Sequence, residues 1–124
     1  MTTLLDASAV LAFLWGEPGS ERVREAFAGG DVSCTVANWS EVVAKVFARG
    51  GDWNVAEAAL VGWGLSLLPL DAQDAVEAGK LWVSQRSLSL GDRLCLAAGL
   101  RRGATIMTAD KAWCAVSPLV VSIR

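Results

Sequence analysis

The sequence predicts an α/β fold, a three-layer α/β/α arrangement with a central, mostly parallel sheet of four to five strands and helices on both faces. Two observations carry this expectation. Short β-prone runs alternate with segments of helical periodicity along the whole chain, the order that produces parallel strands joined by crossover helices. The joints hold glycine, proline and short polar residues, which end one helix and cap the next.

Residues 2–5 form a β-prone run that stops at Asp6, and residues 7–15 read as a helix ended by Gly16 and Pro18. Ser20 is placed to cap an amphipathic helix through Phe27, after which Gly29 and Gly30 release the chain into a strand at 32–36. Asn38 begins a helix with Val42, Val46 and Phe47 on one face, ended by Gly50 and Gly51. Asn54 is placed to cap a shorter helix through Trp63. Residues 65–70 read as a buried strand, and Asp71 as the cap of a helix reaching about Arg86. A loop at 87–91 leads into a helix at 91–102, a strand at 104–108, a helical turn at 111–114 and a last strand at 119–123. Arg101 and Arg102 complement a helix C-terminus that Gly103 ends as a left-handed cap.

With 124 residues, 53% hydrophobic and 19% charged, the chain has the size and makeup of one compact ordered domain. Its longest unbroken apolar run, residues 9–15, is far short of the roughly 18 residues that span a membrane. The N-terminal stretch lacks a basic cluster and meets an acid at Asp6, which predicts a cytoplasmic protein. Cys34, Cys95 and Cys114 are odd in number and widely spaced in apolar sequence, so buried reduced thiols are expected. There is no histidine, which removes the usual general base, the usual zinc ligand and every histidine-dependent triad. Any metal chemistry therefore runs on carboxylates. A net charge of −2 excludes general phosphate neutralisation as the way to hold nucleic acid, leaving local cations, for which Arg86 and Arg93 near Asp92 are candidates. Of six tryptophans, Trp15 and Trp39 lie near the acidic edge, where they either pack in the core or stack on bases.

Ligands of open parallel sheets bind beyond the C-terminal ends of the strands. Asp6 and Asp110 fall there, Glu41 follows the second strand by a few residues, and Asp92 opens the helix before the fourth. Each acid has a plain structural explanation. Glu41 lies three residues after Asn38 and Asp92 three after Ser89, the spacing of a capping box, while Asp6 and Asp110 fit as helix N-caps. Brought together, however, four carboxylates repel one another, and a cation relieves the repulsion. Mg²⁺ or Mn²⁺ prefers carboxylate oxygen and needs no histidine. Such ions activate water and neutralise charge on the leaving oxygen of a phosphodiester. Ser8 and Thr108, two residues from Asp6 and Asp110, are placed either to orient those carboxylates or to make ordinary turn bonds.

Leu5-Asp6-Ala7-Ser8-Ala9-Val10-Leu11, Asn38-Trp39-Ser40-Glu41-Val42, residues 88–97 around Gly91-Asp92-Arg93, and Thr108-Ala109-Asp110-Lys111-Ala112-Trp113 together resemble the acidic motifs of PIN-domain nucleases. The chain is similar to the VapC toxins of bacterial VapBC toxin-antitoxin pairs along its whole length. The resemblance implies one PIN-like nuclease domain over residues 1–124, with Asp6, Asp92 and Asp110 binding Mg²⁺ or Mn²⁺ and Glu41 joining them, through water if not directly. It also implies cleavage of single-stranded RNA regions, a homodimer, and inhibition by a small VapB-like antitoxin whose C-terminal segment lies near the site. The choice of RNA over DNA rests on the resemblance alone. Two rival classes make other demands. A phosphoacceptor signalling domain needs paired acids after the first strand and a lysine near the fifth, whereas Asp6 has no acidic neighbour. A catalytically silent binding module would use the four acids only as caps.

Overall fold

The computed structural model describes residues 2–124, so only Met1 of the expected domain lies outside the described residues. Strands β1 (Thr3–Leu5), β2 (Val32–Thr35), β3 (Ser66–Leu68), β4 (Thr105–Thr108) and β5 (Val120–Ser122) form one sheet in the order β3-β2-β1-β4-β5. All four pairings are parallel. The helices are α1 (Ala7–Trp15), α2 (Ser20–Gly29), α3 (Val36–Ala48), α4 (Trp53–Trp63), α5 (Ala72–Leu81) and α6 (Leu90–Arg102), followed by a 3₁₀ turn (Lys111–Ala115). Among the described residues no helix is long and apolar enough to cross a membrane.

Successive side chains of a strand point to opposite faces, and β1 divides two cores in this way. Leu5 joins Val10, Val23, Val42 and Leu60 beneath α1 to α4. Leu4 joins Leu96, Ile106, Trp113 and Val120 beneath α6 and the 3₁₀ turn. The sheet is therefore the middle layer of three, as expected. Gly99 lets α6 approach that sheet, because a Cβ there would run into the side chain of Ile106.

Several boundaries move, each for a local reason. The second strand ends at Thr35, not Val36, because the Thr35 hydroxyl caps α3 by accepting the Asn38 N–H at 3.1 Å. Asn38 is therefore a fully buried helical residue and not the cap. Asp52, not Asn54, caps α4, accepting the N–H groups of Asn54 and Val55. Gly19, in the left-handed region, occupies the N-cap position of α2 in place of Ser20. The helix expected to run to Arg86 stops at Leu81, although its Asp71 cap is present as a full capping box with Asp74. The third strand is shorter than 65–70 and is an edge strand whose Ser66 and Leu67 are exposed, so it is not the buried strand its apolar sequence suggested. Phe47, expected on the buried face of α3, is 62% exposed while Val42 and Val46 are buried. All three cysteines are free, and Cys114 is exposed against expectation because it faces outward from the 3₁₀ turn whose Trp113 turns inward.

Candidate active site

Because every strand runs the same way, the residues that follow β1, β2 and β4 meet at one edge. Asp6 ends β1, with its backbone N–H on the Met107 carbonyl of β4 at 3.0 Å, and it caps α1. Its side chain is only 3% exposed. Oδ1 accepts the Ser8 hydroxyl at 2.7 Å and the Ala9 N–H at 2.8 Å, and Oδ2 accepts the Thr108 hydroxyl at 2.7 Å. The two hydroxyls are themselves fixed, since Ser8 accepts the Ala109 N–H and Thr108 accepts the Asp110 N–H. Ser8 and Thr108 thus hold Asp6 and tie it to the backbone of Asp110.

Burial pushes the Asp6 carboxyl up to about 6, outweighing the three hydrogen bonds that favour its charge, and the Asp92 charge adds to the rise. The surroundings explain the size of the effect. Buried Cys34 and Cys95 are close enough to feel the charge of Asp6 and offer an apolar, poorly solvating environment. Their own thiols are pushed up, Cys34 to about 12, first by burial and then by the neighbouring acids, so neither is a nucleophile at neutral pH.

Glu41, half-buried on α3, accepts the Asn38 side-chain amide at 2.9 Å. The same amide approaches the backbone carbonyl of Gly91 at 3.4 Å, and the Thr35 hydroxyl donates to the side-chain Oδ1 of Asn38 at 3.2 Å. Glu41 consequently lies over the first turn of α6, where a Cβ on Gly91 would collide with its carboxylate. Burial first, then the charge of Asp92, raises the pKa of Glu41. Asp92 sits in that same turn in a reciprocal capping box with Ser89. Asp110 is exposed and caps the 3₁₀ turn through the Ala112 N–H at 2.9 Å.

The structure therefore couples Asp6, Glu41 and Asp92 by charge and links Asp110 to Asp6 through Thr108. Among the described residues no three carboxylates converge at coordination distance. Asp92, Glu41 and Asp110 each commit one oxygen to a hydrogen bond nearby. Their other oxygens, Asp92 Oδ1, Glu41 Oε2 and Asp110 Oδ2, accept no hydrogen bond among the described residues. An all-oxygen donor set with free carboxylate oxygens beside a buried acid suits a hard divalent cation.

The remaining candidates make contacts of other kinds. Arg93 donates to the Ala78 carbonyl of α5 at 3.0 Å, and the Arg86 guanidinium lies over the Trp82 ring at 4.5 Å. Arg101 and Arg102 do more than end a helix: both bind the buried carboxylate of Asp74 and join α6 to α5. Trp39 packs edge-on against Trp53, and Trp15 is covered by the Arg49 guanidinium at 3.7 Å. Sequence reasoning missed Asn38 as the group that orients Glu41, although its position three residues earlier was the available signal. It also missed the four-residue spacing of Glu41, Lys45 and Arg49.

A five-stranded parallel sheet with acids gathered at its C-terminal edge defines a class of protein, and the PIN domain family model matches residues 3–118. The chain belongs to the PIN domain family. No curated protein matches it in sequence. Its fold is similar to that of a toxin-antitoxin complex from Klebsiella pneumoniae, with a TM-score of 0.80 at 17% identity over 99% of this chain and 98% of that one. It is similar to VapBC2 from Rickettsia felis, bound to a DNA fragment from its promoter, with a TM-score of 0.73 at 14% identity over 98% and 97% of the two chains. It is also similar to VapC20 of Mycobacterium tuberculosis, a sarcin-ricin loop cleaving toxin, with a TM-score of 0.70 at 17% identity over 94% and 95%.

Proposed function

We infer that this chain is a Mg²⁺- or Mn²⁺-dependent endoribonuclease that hydrolyses phosphodiester bonds in single-stranded regions of RNA, as the toxin of a type II toxin-antitoxin pair. The observation that carries the reading is the buried Asp6 carboxylate, held by three hydrogen bonds at the sheet edge where Glu41 and Asp92 add like charge. A cap alone gains nothing from that crowding. Membership of the PIN family and the likeness in fold to toxin-antitoxin structures support the toxin nuclease part of the reading. A VapB-like antitoxin, a homodimer and a cytoplasmic location belong to the same proposal.

Asp6, Asp92 and Asp110 would hold the cation, with Glu41 joining them directly or through water. When bound, the cation supplies Lewis-acid polarisation of the phosphodiester and eases the ionisation of an attacking water. Ser8 and Thr108 keep the Asp6 carboxylate in one orientation through this change in charge. Glu41, with its raised pKa and uncommitted Oε2, is suited to take a proton from that water.

The test is cleavage of labelled single-stranded RNA and DNA by antitoxin-free protein in EDTA, Mg²⁺ or Mn²⁺, beside Asp6→Asn and Asp92→Asn. Cleavage of RNA that needs both the metal and the acids is the expected result. A folded wild type that cuts neither polymer and gains no thermal stability from either metal would return the acids to capping.

A further inference from the structure

Helix α3 carries Glu41 and Lys45, and its C-cap residue Arg49 follows at the same four-residue step. Residues so spaced lie in a row, each step rising about 6 Å along the helix. The first faces the acid cluster. The other two line a groove of about 500 Å³ whose lining also includes Ser8 and Ala109. Since Ser8 donates to Asp6 and accepts from Ala109, the groove opens directly beside the buried carboxylate.

Arg124 forms part of the groove's lining too, and Glu17 lies between the two arginines, 3.9 Å from Arg49 and 3.6 Å from Arg124. Both ion pairs are long and solvent-exposed, so they are weak and replaceable. Arg49 is kept in place by the Trp15 ring, and Arg124 by the Pro18 carbonyl, to which its Nε donates at 3.1 Å. Lys45 makes no salt bridge among the described residues, and its charge reaches Glu41, one turn back. Three cations thus line a groove that includes one carboxylate, Glu17, in a molecule whose net charge is −2. An acidic site repels a polyanion, and a strand approaches it only where nearby cations hold the flanking phosphates.

The geometry points to this groove as the track of the RNA strand on one side of the scissile bond, with Lys45 and Arg49 contacting successive phosphates and Arg124 replacing its Glu17 contact with phosphate. The inference rests on the ribonuclease reading and adds the direction in which the strand leaves the acids.

Cleavage of single-stranded RNA over a series of salt concentrations, with the full chain and its activating metal, tests it. Lys45→Gln, Arg49→Gln and Arg124→Gln are each expected to raise KM roughly fivefold with kcat unchanged. The double variant Lys45→Gln/Arg49→Gln is expected to flatten log(kcat/KM) against log salt by about 1.4, roughly 0.7 for each phosphate left without its cation. Arg49→Lys should recover most of the Arg49 effect, and Lys80→Gln, an exposed cation paired with Glu77 on α5, should change nothing. If wild type cleaves and the double variant keeps its KM and salt slope, the strand runs elsewhere and the inference fails while the ribonuclease reading stands. A fall in kcat alone would mean a disturbed Glu41 and would equally overturn it. If wild type cleaves nothing with metal, both readings fall together.

Discussion

Asp6→Asn separates the cost of the buried carboxylate from its use. The asparagine keeps the shape of the side chain: its carbonyl oxygen can accept from Ser8 and Ala9, while its amide faces Thr108, whose hydroxyl can turn to accept and redirect its proton toward Ser8 at 3.4 Å. The folded carboxyl titrates at about 6 against an ordinary 3.8. That displacement of about two pH units, at ~1.4 kcal/mol each, means ionised Asp6 destabilises the metal-free fold by about 3 kcal/mol at neutral pH. Its sign follows from the order of ionisation. Below pH 3.8 both states are protonated and the cost is absent; between 3.8 and 6 the unfolded chain ionises first, so stability falls as pH rises, and above 6 the full cost is in place. Urea denaturation in EDTA from about pH 3.5 to 7.5 reads this directly. The variant should be roughly 2–3 kcal/mol more stable than wild type at the neutral end and no more stable at the acid end. Added Mg²⁺ should stabilise wild type and leave the variant unmoved, and the variant should not cleave RNA. A variant less stable than wild type at neutral pH, or a difference independent of pH, would refute the reasoning.

Other perturbations address the scaffold of the site. Asn38→Ala frees Glu41 and strips the buried Thr35 hydroxyl of its acceptor, which should cost about 1–3 kcal/mol in denaturant unfolding and lower metal affinity about 10-fold or more. Calorimetric titration of Mg²⁺ checks the second figure. Asp74 is buried between Arg102 and Arg101, which hold its carboxyl well below the usual carboxylate range, so its stabilisation is present above about pH 4 and fades on further acidification. Asp74→Asn should destabilise at neutral pH by about 2 kcal/mol, less than a wholly buried pair because both guanidiniums reach water, and a melt should show the loss shrinking in acid. Gly99→Ala gains helix propensity but drives a methyl into Ile106, and the overpacking should leave a net loss of roughly 1–2 kcal/mol, read by thermal unfolding.

The class of fold was legible because it depends on the periodicity of the chain and on the residues at its joints. The alternation of β-prone and helical segments forces parallel strands, and parallel strands place the residue after each strand on one edge, so Asp6 and Asp110 were legible as neighbours from their positions in the chain. The capping box of Ser89 and Asp92 and the left-handed Gly103 were likewise local, readable from a few adjacent residues.

What needed the tertiary structure was every property set by contacts distant in sequence. Thr35 could be told from Asn38 as the α3 cap only once Asn38 was seen turned toward Glu41 and Gly91, the latter 53 residues away. An apolar third strand looks buried until the sheet order puts it at the edge. Arg93 flanks Asp92 in sequence but leaves the acids for the Ala78 carbonyl, whereas Arg124 and Arg49, 75 positions apart, meet over Glu17. The sequence alone determined which acids follow which strands, because strand direction and helix start are local. Burial alone decided how hard those acids are to ionise, because desolvation depends on the far segments that close over a side chain.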